Sequence, residues 1–227
     1  MKFIFFAIII LCCITGCSTK LEKLITDNIS EIREYVLFAK NEDVSVSFMC
    51  GERESDYKMN GVTSELIPFG VITVTNISET FQSSDISYVL YVGTQKYEGL
   101  LEKNPFDGTL VSDIKENVDK SNNISITLSN GKDTTSLKLK NVEYFKINTS
   151  DCVDILLTKY KEELNKFVVD NNFQGEVYIK IIDDYDAYTS MFYYYVSVVG
   201  VDGNYINLLI SPSNGEILAS NINIKQG

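Results

Sequence analysis

Apolar positions along the chain change their spacing several times, and each change predicts an element boundary. Residues 3–14 form an unbroken apolar run behind Lys2. Between 18 and 41, Leu21, Leu24, Ile25, Ile29, Ile32, Val36 and Ala39 recur at intervals of three and four, the signature of one face of an amphipathic helix. Thr19 and Glu22 have capping-box spacing at its start. From Asp43 the interval falls to two: Val44, Val46, Phe48 and Cys50 alternate with Ser45, Ser47 and Met49, as in a half-buried strand. Alternation returns at 69–75, 86–92, 97–101, 109–114, 124–128 and 136–142, with turn signals such as Asp107-Gly108 and Asn130-Gly131 between. About seven strands between 43 and 147 predict an immunoglobulin-like β-sandwich, although without any Trp the Cys-Trp-Cys hallmark is absent.

Around Ser150 and Asp151 the chain offers a helix cap, and Val153, Leu156, Leu157, Tyr160, Leu164, Phe167 and Val168 trace a second helical stripe. Long strands follow at 175–182, 191–200 and 204–211, then a turn at 212–215 into 216–219. A helix followed by an antiparallel meander predicts an α+β layer. The expected fold class is therefore α+β, with a leader at 1–16, an amphipathic helix over 17–42, the immunoglobulin-like sandwich over 43–147 and a helix-on-meander unit over 148–227.

Charge and composition narrow the chemistry. With 31 Asp+Glu against 20 Lys+Arg, the net charge of −11 lacks the basic footprint that phosphate backbones demand, which excludes nucleic acid as a partner. The absence of His removes the usual neutral-pH base, the Ser-His and Cys-His pairs and the commonest zinc ligand. Dinucleotide, Walker, nucleophile-elbow and zincin motifs are absent too. No catalytic residue, metal site or cofactor is expected.

The apolar run at 3–14 is too short to cross ~30 Å of hydrocarbon as a helix and reads as the h-region of a signal peptide. It ends in Ile14-Thr15-Gly16-Cys17, which resembles the lipobox of bacterial lipoproteins. The resemblance implies loss of residues 1–16, acylation of Cys17 with palmitate-type chains, and durable anchoring on the extracytoplasmic face of the cell membrane of a Gram-positive or related bacterium. The helix predicted immediately after Cys17 leaves almost no tether. Cys50 and Cys152 are the cysteines left in the body, and an extracytoplasmic location permits them to pair. Cys50 nevertheless falls in phase on an apolar strand face and Cys152 opens an apolar helix stripe, which reads as two buried free thiols.

Residues 195–219 resemble the end of a PepSY or cystatin-like domain, in which a strand returns through D-x-x-x-G-E-I/V. Ser211-Pro212-Ser213-Asn214-Gly215-Glu216-Ile217-Leu218 stands in that position, with Ser211 where Asp is usual. The resemblance covers 151–222 and implies a non-catalytic unit that binds or restrains extracytoplasmic proteases or envelope partners.

Among candidate sites, Phe192, Tyr193, Tyr194 and Tyr195 place two aromatics on each face of one strand, so Tyr193 and Tyr195 are binding candidates if Phe192 and Tyr194 face the core. Asp183, Asp184 and Asp186 cluster between strands but lack the Gly and bidentate Glu of a calcium loop, and read as a solvated connection. The polar stretch 51–61 reads as a loop on the sandwich. The sequence thus points to a membrane-anchored, non-enzymatic lipoprotein that binds a protein or cell-envelope partner. The alternatives are a carboxylate-dependent glycan-active enzyme, which needs two acids ~5–10 Å apart in a concave pocket, and a small-ligand accessory lipoprotein, which needs an apolar pocket.

Overall fold

The computed structural model describes residues 18–55, 63–76, 78–81, 85–105, 107–116, 118, 123–184 and 191–225. Helix α1 (Ser18–Thr26) leads into strands β1 (Ile29–Lys40), β2 (Val44–Glu54) and β3 (Leu66–Asn76). A 3-10 turn (Glu79–Phe81) precedes β4 (Ser87–Val92), β5 (Gln95–Leu100), β6 (Glu102–Lys103), β7 (Leu110–Ile114), β8 (Ile124–Ser129) and β9 (Thr134–Asn141). Helices α2 (Thr149–Lys159) and α3 (Lys161–Asn165) follow, then the small pair β10 (Val168–Val169) and β11 (Asn172–Phe173), and finally β12 (Gly175–Asp183), β13 (Phe192–Gly200), β14 (Tyr205–Ile210) and β15 (Ile217–Asn223).

The described residues are mostly β, with 56% strand and 14% helix, and this corrects the α+β expectation. The amphipathic helix expected over 17–42 stops at Thr26, and residues 29–40 are a strand. Its spacing misleads for a physical reason. β1 carries register irregularities between Ile29 and Glu31 and between Arg33 and Tyr35. The β1 residues packed on the helix-side core are Ile29, Ile32, Val36 and Phe38, so intervals of three and four arise where the extra residues fall. Leu37, Tyr35 and Ala39 pack on a second core instead. A strand buried from two sides, with bulges, imitates helical periodicity.

The immunoglobulin-like sandwich and the separate helix-on-meander unit are corrected as well. One 13-stranded sheet runs β15-β14-β13-β12-β1-β2-β3-β7-β6, with β9, β8, β4 and β5 branching from β1. The strand β1 is the seam. Its first part runs parallel to β12, pairing Ile29 with Val177 and Ile32 with Ile179, and its last part pairs Leu37 and Phe38 with Asn141 and Lys140 of β9. β1-β2-β3-β7 and β9-β8-β4-β5 curl toward each other into a nearly closed, barrel-like sheet. The meander β12–β15 is an extension of that same sheet, joined through the β1–β12 ladder.

Two cores result. Phe48, Ile72, Leu90, Ile126 and Leu128 fill the barrel-like part, all with essentially no solvent exposure. Ile25 of α1, Leu156 of α2 and Leu164 of α3 close over Val177, Ile179, Val196, Val198, Ile206 and Leu208 of the extension. Fully burying side chains of this kind contributes about 1.5–3 kcal/mol each. Helix α2 starts slightly before the expected Ser150 and Asp151. Asn148 is its N-cap, with Oδ1 accepting from Ser150 N (2.8 Å) and Asp151 N (3.1 Å) while Asn148 N donates to Asp151 Oδ2 (2.8 Å).

Candidate functional site

Alternation along β12, β13 and β14 sends one set of side chains under the helices and leaves the other set on an open face. Phe192 and Tyr194 are buried in the helix-side core, whereas Tyr193 and Tyr195 stand half-buried on the opposite face. The antiparallel registers then assemble that face across strands. Tyr178 lies opposite Ser197, Lys180 opposite Tyr195, Ser197 opposite Asn207, and Asn207 opposite Asn221. A shallow recess of about 310 Å³ is lined by Tyr178, Lys180, Tyr195, Ser197, Val199, Tyr205 and Asn207. Internal hydrogen bonds hold its polar groups: Ser197 Oγ donates to Asn207 Oδ1 (2.7 Å), and Tyr178 OH donates to Glu176 Oε2 (2.5 Å).

Lys180 connects this recess to a charged one. It also lines a neighbouring cavity of about 360 Å³ with Glu31, Arg33, Arg53, Glu54 and Ser55. Its ammonium sits 5.0 Å from the centre of the Tyr178 ring and 2.9 Å from Glu31 Oε2, while Arg33 Nε donates to Glu31 Oε1 at 2.8 Å. Glu31 is thus clamped between two cations on strands β1 and β12. Burial pushes its carboxyl up, but the charges and hydrogen bonds of Arg33 and Lys180 outweigh burial and hold it below the usual value of 4.5. An ionised carboxylate so placed has no proton to donate near neutral pH. Arg53 donates to Asp113 Oδ2 (2.7 Å) and stacks over Phe69 at 4.6 Å, and Glu54 Oε1 accepts from Ser64 N (2.5 Å). Each charged group of this cavity therefore has a partner, within it for Glu31, Arg33 and Lys180 and outside it for Arg53 and Glu54.

The arrangement therefore offers ring faces, hydroxyls and amides on a rigid sheet, beside a cluster of partnered charges. Such groups can stack and hydrogen-bond with little ordering cost, because Tyr has few rotatable bonds.

Of the residues singled out in the sequence, Tyr193 and Tyr195 share this face, while Cys17 and Asp186 lie outside the described residues. Asp183 ends β12 and Asp184 follows it. Residues 51–54 of the expected 51–61 loop belong to β2, and 56–62 lie outside the described residues. Among the described residues, no group of three or more Cys, Asp or Glu is arranged to hold a metal ion. Cys50 and Cys152 are free and buried in different cores, and burial pushes each thiol up to about 12.

Sequence reasoning missed Tyr178, Lys180, Ser197, Tyr205 and Asn207. Their signal was present, since the polar phases of consecutive antiparallel strands must share a face. Glu31 and Arg33 carried no such signal, because their segment reads as a helix. Comparison with protein-family models, with curated proteins and with solved structures returned no match.

Proposed function

We propose that this chain is an extracytoplasmic lipoprotein, held in the membrane by lipid on Cys17, that binds a protein or cell-envelope partner without catalysis. The observation that carries the binding reading is the open face around Tyr195 and Tyr205, which no element of the described chain covers. A sheet packed on one side needs only polar side chains on the other. Half-buried tyrosines interleaved with Ser and Asn go beyond that need, and this mixture suits partner contacts, where Tyr is enriched. The Glu31 clamp supports the same reading, because two cations hold its carboxylate ionised, so that it is not a proton donor. The lipobox-like Ile14-Thr15-Gly16-Cys17 supports the anchor.

The test uses the full chain in cells. Labelled palmitate and membrane fractionation compare wild type with Cys17→Ala; label and membrane retention are expected to be lost in the variant, and their persistence overturns the anchor. Chemical crosslinking then compares partner capture by wild type, by Tyr195→Ala/Tyr205→Ala, and by Tyr91→Ala, which removes an exposed tyrosine of the barrel-like part. Capture is expected to fall only for the Tyr195 and Tyr205 variant. Equal capture by all of them overturns the assignment of the face.

A further inference from the structure

We propose that two copies of this chain pair through β15, antiparallel, to form one sheet continuous across a two-fold axis. The inference starts from how the open edges differ. β5 pairs only with β4, and it carries Lys96 and Glu98 joined at 2.5 Å. β6 is a two-residue strand, Glu102–Lys103, with Pro105 just beyond. Short length, charge and proline are the devices that keep a sheet edge from pairing with another chain. β15 has none of these three, and its single bulge, at Leu218, lies at one end. It is a seven-residue strand, Ile-Leu-Ala-Ser-Asn-Ile-Asn, exposed along nearly its whole length, and among the described residues nothing pairs with its outer side. Its one irregularity lies near its start, opposite Leu209 and Ile210, and residues 219–223 pair in unbroken register with 205–209.

The occupant follows from the strand's own pattern. A two-fold axis perpendicular to a sheet keeps every side chain on its original face. Directly opposed residues share a face, so the central residue of such a pair must oppose its own copy. Centring on Ser220 sets Leu218 against the partner's Ile222 twice. These are the strand's exposed large apolar side chains, 47% and 37% exposed, and each would cover the other. The same register sets Ile217 against the partner's Asn223, with no charged residue inside the paired segment 217–223. Shifting the centre to Ala219 would instead oppose Leu218 to Ser220 and leave Leu218 and Ile222 without an apolar partner. The strand is self-complementary in the Ser220 register, which makes a second copy the fitting occupant. The pairing stands independently of the proposed function; together they would place two tyrosine faces on the same side of one sheet, a bivalent surface.

The experiment introduces Ser220→Cys into the full chain in intact cells and oxidises mildly before a non-reducing gel. Directly opposed residues have Cα atoms about 4.5–5.5 Å apart, within the range a disulfide spans. A disulfide-linked dimer is expected for Ser220→Cys and not for Asn223→Cys, which faces the partner's Ile217. Wild type, with Cys50 and Cys152 buried, is the control. Leu218→Lys/Ile222→Lys is expected to convert purified full chain from dimer to monomer mass with its far-UV circular dichroism unchanged and its thermal midpoint no longer dependent on protein concentration. The proposal is overturned by absence of the Ser220→Cys dimer, by equal crosslinking of Asn223→Cys, or by Ser220→Cys joining a different protein. If the lysine variant fails to fold, the cysteine pair still decides.

Discussion

The barrel-like part and the extension are pieces of one sheet that solve the same problem differently. In the barrel-like part, the strands turn their apolar phase toward a shared interior around Phe48, Leu90 and Ile126, and curvature lets the sheet cover itself. The extension stays open. Helices α1–α3 cover one side of it, and the other side keeps Tyr193, Tyr195, Tyr205 and Asn207 half-exposed around the buried Tyr178 and Ser197. A closed sheet has spent its surface on its own core, while an open one retains a rigid face that another molecule can use. The same contrast governs the edges, blunted by charge on β5 and β6 and bare on β15.

The comparison is sharpest in the effect of single substitutions. Phe48→Ala, in the fully buried barrel core, is expected to cost about 3–5 kcal/mol. Tyr205→Ala, on the open face, is expected to cost about 0.2–1 kcal/mol. Urea denaturation of both variants measures the difference, and equal losses would show that the open face is a structural core after all.

A smaller effect is expected at the seam. Glu31→Gln leaves Arg33 and Lys180 without their shared carboxylate and should cost about 2–3 kcal/mol, less than the ~3–5 kcal/mol of a fully buried pair because both cations keep part of their solvent contact. Because the folded-state pKa of Glu31 lies below the ordinary 4.5, its contribution is present above that value and is lost as pH falls through the lower, folded-state value. Denaturation midpoints followed into acid should therefore fall more steeply for wild type than for Glu31→Gln. Parallel pH profiles would remove the clamp from the account of how β1 is locked to β12.

The smallest effect is local to the covering helices. Asn148→Ala removes the side chain that accepts from Ser150 N and Asp151 N, and should cost about 1 kcal/mol. Amide hydrogen exchange should rise in α2 and leave β4 and β8 unchanged. Equal acceleration in β4 and β8 would mean that the two cores unfold as a single unit and that the comparison describes shape alone.

Particular residues show why some of this was legible beforehand. Strands β8 and β13 were readable because Ile124, Ile126 and Leu128, and Phe192, Tyr194 and Val196, alternate without interruption and one face of each meets a core. β1 was not, because its bulges shift the phase and because apolar positions on both sides are buried. Gly51 marks the place where this happens: a Cβ there would lie 1.9 Å from the carbonyl oxygen of Ile32, so β1 approaches β2 too closely for any side chain. The sequence displays the glycine but not the neighbour that requires it. For the candidate site, Tyr193 and Tyr195 were visible in one strand, whereas Tyr178, Lys180 and Tyr205 joined them only through register.

What the sequence by itself determined is local: the alternating strands from Val44 onward, the turns at Gly108 and Gly131, which adopt positive φ, and the separation of Phe192 and Tyr194 from Tyr193 and Tyr195. These follow from side-chain period and backbone sterics within a few residues. Only the tertiary structure decided that β1 is a strand, that it ladders to β12 on one stretch and β9 on another, and that no other described strand pairs with the outer side of β15. Those outcomes depend on which distant strands compete for the same backbone edge, and a hydrogen-bonding edge carries no mark of its partner in the sequence.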